Sequence, residues 1–314
     1  MQTILNALVP VFLLVALGVF LKRTLLKSEN AWDSLEDLTY YILFPALLVL
    51  ATATADLSKV PIWGVFTALV IAIFACSLAL IALRVPMQRA FGWSGPAFTS
   101  VFQGGVRWNT YIALGVASPL LGEQGLAIAA VALASMIPPI NVLSVVVLAR
   151  YAPNSPAKVM QVLVHLLRNP FIWACAFGIL INLIGLPIPK VFSSFLNALG
   201  QASLPMGLMI VGAGLNLKTV HRINAAVLIS TGVKMLLLPA IAMGIGYFAG
   251  VGWPALAVIA ISSSVPSAPN GYMLARQMGG DAPLLAHILT IQMFVALFSI
   301  PLTLIVAAGL GIAK

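Results

Sequence analysis

The sequence predicts an all-α membrane protein of ten transmembrane helices, arranged as two inverted five-helix repeats whose helices 4 and 9 are broken. Three observations carry this. First, only 7% of the 314 residues are charged and 61% are hydrophobic, with a mean hydropathy of +1.09. A soluble domain is typically about 25% charged, so this chain has too little polar surface to face water all round. Second, apolar runs of span length follow one another with short connections, leaving no attached soluble domain. Third, landmarks of the first half return in the second.

The spans fall near residues 4–21, 37–55, 61–83, 94–118, 125–149, 168–186, 195–217, 225–249, 254–277 and 284–310. The stretch 157–167, with VMQVLVHLL, reads as an amphipathic lead-in to span six. Basic residues orient the set. With the N-terminus outside, inside loops collect Lys22, Arg23, Lys27, Arg84, Arg89, Arg150, Lys158, Arg168, Lys218, Arg222 and Arg276, while outside segments hold Lys59, Lys190 and Lys314. The positive-inside rule therefore places both termini outside. The net charge of +9 reports topology by this reading, and nucleic acid is not an expected partner. Cys76 and Cys175 lie in apolar runs without metal or redox spacing, and read as small core residues. The first apolar segment has no basic residue ahead of it and shows no cleavable signal pattern.

A shift of 160 aligns Pro10 with Pro170, Gly18 with Gly178, Pro45 with Pro205 and Trp93 with Trp253. A one-residue slip then lays Asn109-Thr110-Tyr111 on Asn270-Gly271-Tyr272. Each match falls at an equivalent place in an equivalent span, giving a first repeat over 1–155 and a second over 156–314. Five spans per repeat is an odd number, so the second copy enters the membrane upside down. Inverted repeats of this kind are common in secondary transporters, whose halves exchange conformations.

Span four contains Gly104, Gly105 and then Arg107-Trp108-Asn109; span nine contains Pro266, Pro269, Asn270 and Gly271. Proline removes a backbone donor and glycine loosens the chain, so each span is expected to break near its middle. Matched broken helices expose helix ends at a crossing, where N–H groups and the positive dipole end suit an anion. Asn109, Thr110, Tyr111, Asn270, Ser267 and Gln103 are the candidate binding residues around it. Ser262, Ser263 and Ser264 either contribute hydroxyls there or cap the break locally. Arg107 lies at the break in span four. Its planar fork can pair with a substrate carboxylate, or it can serve structurally, against carbonyls at the end of the first half-helix or against Glu123.

Lys234 lies deep in span eight, ahead of Pro239. It has two readings: a fixed charge satisfying carbonyl ends at the crossing, or a proton carrier. His287 and Gln292 in span ten line the crossing or make helix–helix contacts. Trp108 flanks the cargo or packs. The seven acidic residues (Glu29, Asp33, Glu36, Asp37, Asp56, Glu123, Asp281) all lie near span ends. The predicted membrane interior is therefore net positive, which favours an anionic cargo. There is no nucleophile–base pair or metal-ligand cluster, so neither an enzyme nor a cofactor is expected.

At RWNTY in span four, KMLLLP in span eight and SSVPSAPNGYMLARQMGGD in span nine, the chain resembles the auxin efflux carrier family, and most of all its bacterial malonate-transporter-like members. The resemblance extends over essentially the whole chain. It implies a fold similar to that of bile acid:sodium symporters, with a scaffold domain from helices 1, 2, 6 and 7 and a transport domain from helices 3–5 and 8–10. It further implies elevator movement, and a homodimer formed through the scaffold among membrane lipids. Plant members carry Asn-Pro-Asn-Thr-Tyr at the first crossing. Here Arg107 and Trp108 depart from that pattern while Asn109, Thr110 and Tyr111 keep it, which favours a smaller, more strongly anionic carboxylate than auxin. The expectation is an elevator-type carrier of small organic anions in a bacterial inner membrane. The competing classes are an anion channel and an anion-binding sensor that moves nothing.

Overall fold

The computed structural model describes residues 2–56, 60–152, 169–217 and 223–312. The lead-in at 157–167, His165 and His221 lie outside the described residues. Among these residues the chain is helical, without strands. The helices are α1 (Gln2–Thr24), α2 (Glu29–Leu38), α3 (Phe44–Thr54), α4 (Ile62–Ala82), α5 (Arg84–Phe91), α6 (Gly95–Val106), α7 (Thr110–Tyr151), α8 (Pro170–Ile184), α9 (Lys190–Ala213), α10 (Ala225–Gly232), α11 (Leu238–Phe248), α12 (Ala255–Ser264), α13 (Asn270–Met278) and α14 (Ala282–Ile312).

Seven runs among the described residues are long and apolar enough to cross a membrane: Gln2–Thr24, Glu29–Thr54, Ile62–Ala82, Gly95–Tyr151, Lys190–Ala213, Ala225–Phe248 and Ala282–Gly311. This is a multi-pass all-α membrane protein. The expected spans do not all appear as separate helices of that length. Spans four and five share the Gly95–Tyr151 run, whereas Pro170–Ile184 and Ala255–Ser264 are shorter apolar helices. Within α7 the helix is interrupted at Gly122, whose φ of +61° is one that L side chains rarely adopt.

Two helices widen by one residue per turn ahead of a proline. Residues Thr39–Leu43 and Val233–Leu237 are π-helical, closed by Phe44 N–H to the Thr39 carbonyl and Leu238 N–H to the Val233 carbonyl. Pro45 and Pro239 follow directly. Each lacks the donor for an ordinary turn and its ring crowds the preceding carbonyl, and a wider turn relieves both problems.

The chain divides into two compact units. The first comprises Met1–Ile62, Thr110–Ala134 and Leu167–Gly214. Here α1 and α9 touch backbone to backbone: a Cβ on Gly18 would strike the Met209 carbonyl, and one on Gly212 the Val15 carbonyl. Helix α8 packs on α3. Asn182 Nδ2 reaches the carbonyls of Thr52, Ala53 and Ala55 at 3.2, 2.9 and 2.7 Å, satisfying the C-terminal end of α3. Tyr40, Phe44, Tyr111 and Phe171 form the unit's aromatic cluster, with centroids 4.8–5.6 Å apart.

The second unit comprises Trp63–Asn109, Ser135–Leu166 and Leu215–Lys314. It holds α4, α5, α6, the C-terminal part of α7 and α10 to α14. Its centre is tightly packed: every residue of α12 is buried, as is all of α6 from Phe98 onward. It contains both interruptions, at residues 107–109 and 265–269.

Candidate functional site

The last intrahelical bond of α6 runs from Arg107 N–H to the Gln103 carbonyl, 2.9 Å. Arg107 is then extended, with φ −69° and ψ 158°, and the chain stays non-helical through Asn109. In the other span, α12 closes with Val265 N–H on the Ile261 carbonyl. Val265 is extended in the same way, with φ −68° and ψ 152°, and α13 starts at Asn270. Both interruptions expected from the sequence are present.

Their positions need one correction. Gly104 and Gly105 are helical, in the last turn of α6, and do not form the break. They allow close approach instead. A Cβ on Gly104 would meet Ser230 Oγ, and one on Gly105 would lie 3.0 Å from Leu80 Cδ1. Pro266 does lie within the second interruption, Pro269 is the residue before α13, and Gly271 is in that helix's first turn. The N–H groups at this helix start are also less free than expected: Gly271 and Tyr272 donate to the carbonyls of Ala268 and Pro269.

A broken helix leaves carbonyl groups without partners, and in a dry interior these must be met by other donors. The Gly104 carbonyl has lost its helical donor because residue 108 is not helical. It accepts from Ser267 Oγ at 2.5 Å and from Gln292 Nε2 at 2.8 Å. Gln292 Oε1 in turn accepts from Ser267 N–H, 2.9 Å. The two interruptions therefore meet, tied together by Gln292 from α14. At the end of α12 the Ser263 carbonyl accepts from Lys234 Nζ, 3.0 Å, with Lys234 wholly buried in the π-helical turn. Of its two readings, the one that satisfies a broken helix's carbonyl end is the contact observed. Ser263 and Ser264 donate back into their own helix, to Ile259 and Ala260, and Ser264 Oγ also accepts from Thr303 of α14 at 3.1 Å.

Arg107 is 4% exposed. Its Nη2 donates to Asn141 Oδ1 at 3.0 Å, and its Cδ and Nε lie against Gly271, 3.0 and 3.3 Å from where a Cβ would stand. No carboxylate faces it among the described residues, and its Nη1 has no hydrogen-bond partner among them. Glu123, the other partner considered for it, belongs to the first unit. A buried guanidinium thus rests on the start of α13, where no side chain caps the helix and the dipole's positive end is presented. Nearby in sequence, the wholly buried amide of Gln103 and the indole N–H of Trp108 also lack partners among the described residues.

Not every expected residue gathers here. Thr110 and Tyr111 belong to the first unit, where Tyr111 stacks on Phe44 at 4.8 Å and packs against Gly207. Asn109 is buried in the second unit, Asn270 is exposed at the start of α13, and His287 is buried on α14, five residues ahead of Gln292. Asn141 was missed by sequence reasoning. Its signal was a lone amide two residues after Pro138-Pro139 in an apolar span. Gln292 was legible as a polar group in span ten, but not as the tie between the two breaks.

A multi-pass helical protein with two helix breaks joined in its interior has features common among secondary transporters. Comparison with known proteins agrees. Residues 152–304 match the family model described as membrane transport protein. A protein of Methanothermobacter thermautotrophicus described as an uncharacterized transporter is 25% identical over 305 residues, covering 96% of each chain. The family match and the transporter relative point to a membrane transporter rather than an enzyme, and they accord with the resemblance to the auxin efflux carrier family.

Proposed function

We propose that the protein is a secondary active transporter of small organic anions, mono- or dicarboxylates such as malonate or auxin-like acids, in a bacterial inner membrane with both termini outside. One observation carries the reading: Arg107 is buried beside a helix start with a single neutral hydrogen-bond partner among the described residues. Burying a charge without a counter-charge costs several kcal/mol, and the positive end of a helix beside it adds to that cost. A carboxylate entering the site relieves both at once, accepting from Nη1 and from the orphaned donors of Gln103 and Trp108. Lys234 adds a second internal cation, which disfavours a cationic cargo. An elevator-type movement of spans 3–5 and 8–10 against a scaffold of spans 1, 2, 6 and 7, which forms a homodimer, completes the reading; the two compact units follow that division except that Thr110–Ala134, from spans four and five, belongs with spans 1, 2, 6 and 7.

The test is uptake of radiolabelled carboxylates by proteoliposomes under imposed pH and sodium gradients. Arg107→Gln is expected to abolish accumulation, with Arg107→Lys partly active because it keeps the charge but loses the planar fork. Undiminished uptake by Arg107→Gln would reject the role, and rates without counterflow would mark a channel.

A further inference from the structure

We propose that the second unit carries a binding site for the phosphodiester headgroup of an anionic phospholipid, formed by Arg84 and Arg150 around Tyr151. Arg84 Cζ lies 4.4 Å from the centroid of the Tyr151 ring and Arg150 Cζ lies 5.5 Å from it. One aromatic ring therefore holds two guanidinium groups within about 10 Å of each other. Tyr151 is itself held in place: its backbone carbonyl abuts Gly95, where any side chain would collide, and its ring meets Phe98 edge-on at 5.5 Å.

Two like charges gathered on one ring repel, and no carboxylate pairs with either among the described residues. The sequence has no Asp or Glu between Asp56 and Glu123, or between Glu123 and Asp281. Asp281 reaches this end of the unit through its backbone, donating to the Pro96 carbonyl at 3.3 Å. Its carboxylate accepts from Leu284 N–H at 3.0 Å, capping α14. The only partner that Arg84's side chain takes besides the ring is Gln88 Oε1, 3.0 Å, among the described residues.

Depth identifies the missing anion. Arg84 follows the membrane-length run Ile62–Ala82 by two residues, and Tyr151 ends the run Gly95–Tyr151. The pair therefore stands where apolar helix ends and polar headgroups begin. Helix α5 between them is suited to lie in that plane. It buries no residue and leaves Val85 and Phe91 exposed, and Pro86, Met87, Ala90 and Phe91 share one arc while Arg84 and Gln88 share another. A phosphodiester offers one negative charge and two free oxygens at that depth, which a pair of guanidinium forks can share.

The test uses purified protein in nanodiscs of equimolar phosphatidylcholine and phosphatidylglycerol, with native mass spectrometry of the lipids that remain bound after release. Wild type is expected to retain phosphatidylglycerol, and Arg84→Gln/Arg150→Gln to lose the preference by about tenfold or more. Should the double variant fail to fold, Arg84→Gln alone is read the same way, with a smaller loss expected. A parallel thermal-shift arm adds millimolar inorganic phosphate to protein in phosphatidylcholine alone. Equal retention of both lipids by wild type overturns the site, as does an unchanged preference in the variants. Full stabilisation by inorganic phosphate overturns the assignment to lipid. The readout is lipid retention rather than flux, so it stands or falls apart from the carboxylate reading.

Discussion

Replacing Gln292 by leucine should loosen the junction of the two interrupted spans, and the structure sets the size of the effect. The amide makes two bonds, accepting from Ser267 N–H and donating to the Gly104 carbonyl. Hydrogen bonds between helices in membranes average about 0.6 kcal/mol, so loss of two gives roughly 1 kcal/mol. The orphans decide the rest. Gly104 keeps Ser267 Oγ as a donor, but Ser267 N–H is left buried with no acceptor, which costs about 1–3 kcal/mol more. The total is about 2–4 kcal/mol. Ser267→Ala, by contrast, removes a bond whose acceptor retains Gln292, and costs about 0.6 kcal/mol. At roughly 2 °C per kcal/mol for a chain of this size, Gln292→Leu should lower Tm by about 4–8 °C and Ser267→Ala by about 1 °C. Scanning fluorimetry of both variants in the same detergent measures this. Equal shifts, or a Gln292→Leu protein within a degree of wild type, would refute the view that Gln292 ties the breaks together.

Four further outcomes are expected. Asn141→Leu removes the one hydrogen-bond partner that the buried Arg107 has among the described residues and should destabilise by about 3 kcal/mol, whereas Arg107→Met/Asn141→Leu should recover most of that, as a double-mutant cycle of Tm values will read. Gly271→Ala places a Cβ 3.0 Å from Arg107 Cδ and should displace the guanidinium; KM for the carboxylate should rise about tenfold with Tm nearly unchanged, since a shift of an ångström in a positioning contact weakens binding more than folding. Gly18→Ala and Gly212→Ala each drive a methyl into a facing backbone carbonyl that cannot yield, and should lower Tm by several degrees or abolish folded yield. Gly244→Ala meets nothing within 4 Å and should be neutral or slightly stabilising in the same assay.

Much of the molecule was legible because membrane solvation is a one-dimensional constraint. Scarce charge and span-length apolar runs state that the chain crosses a bilayer, since only helices satisfy their own backbone there. The interruptions were legible for a related reason: an arginine, an asparagine and paired prolines have no cheap place in the middle of an apolar helix. A carbonyl end was one of two readings open for Lys234, because a buried ammonium must find acceptors and the acidic residues all lie near span ends.

What the sequence misjudged were matters of partnership. Gly104 and Gly105 looked like the weak point of span four, yet they are helical, and their lack of side chains admits Ser230, Leu80 and Val233. Asn109-Thr110-Tyr111 reads as one motif, but Tyr111 stacks on Phe44 in one unit while Asn109 is buried in the other. Asn141 and Gln292 are ordinary amides until other residues come to them, 34 residues away for Arg107 and 188 for Gly104. Composition and punctuation by themselves determined a membrane bundle with two weak points and two buried cations. Only the tertiary structure decided which donor meets which orphaned carbonyl, because that depends on distances between segments remote in the chain, and no local preference encodes them.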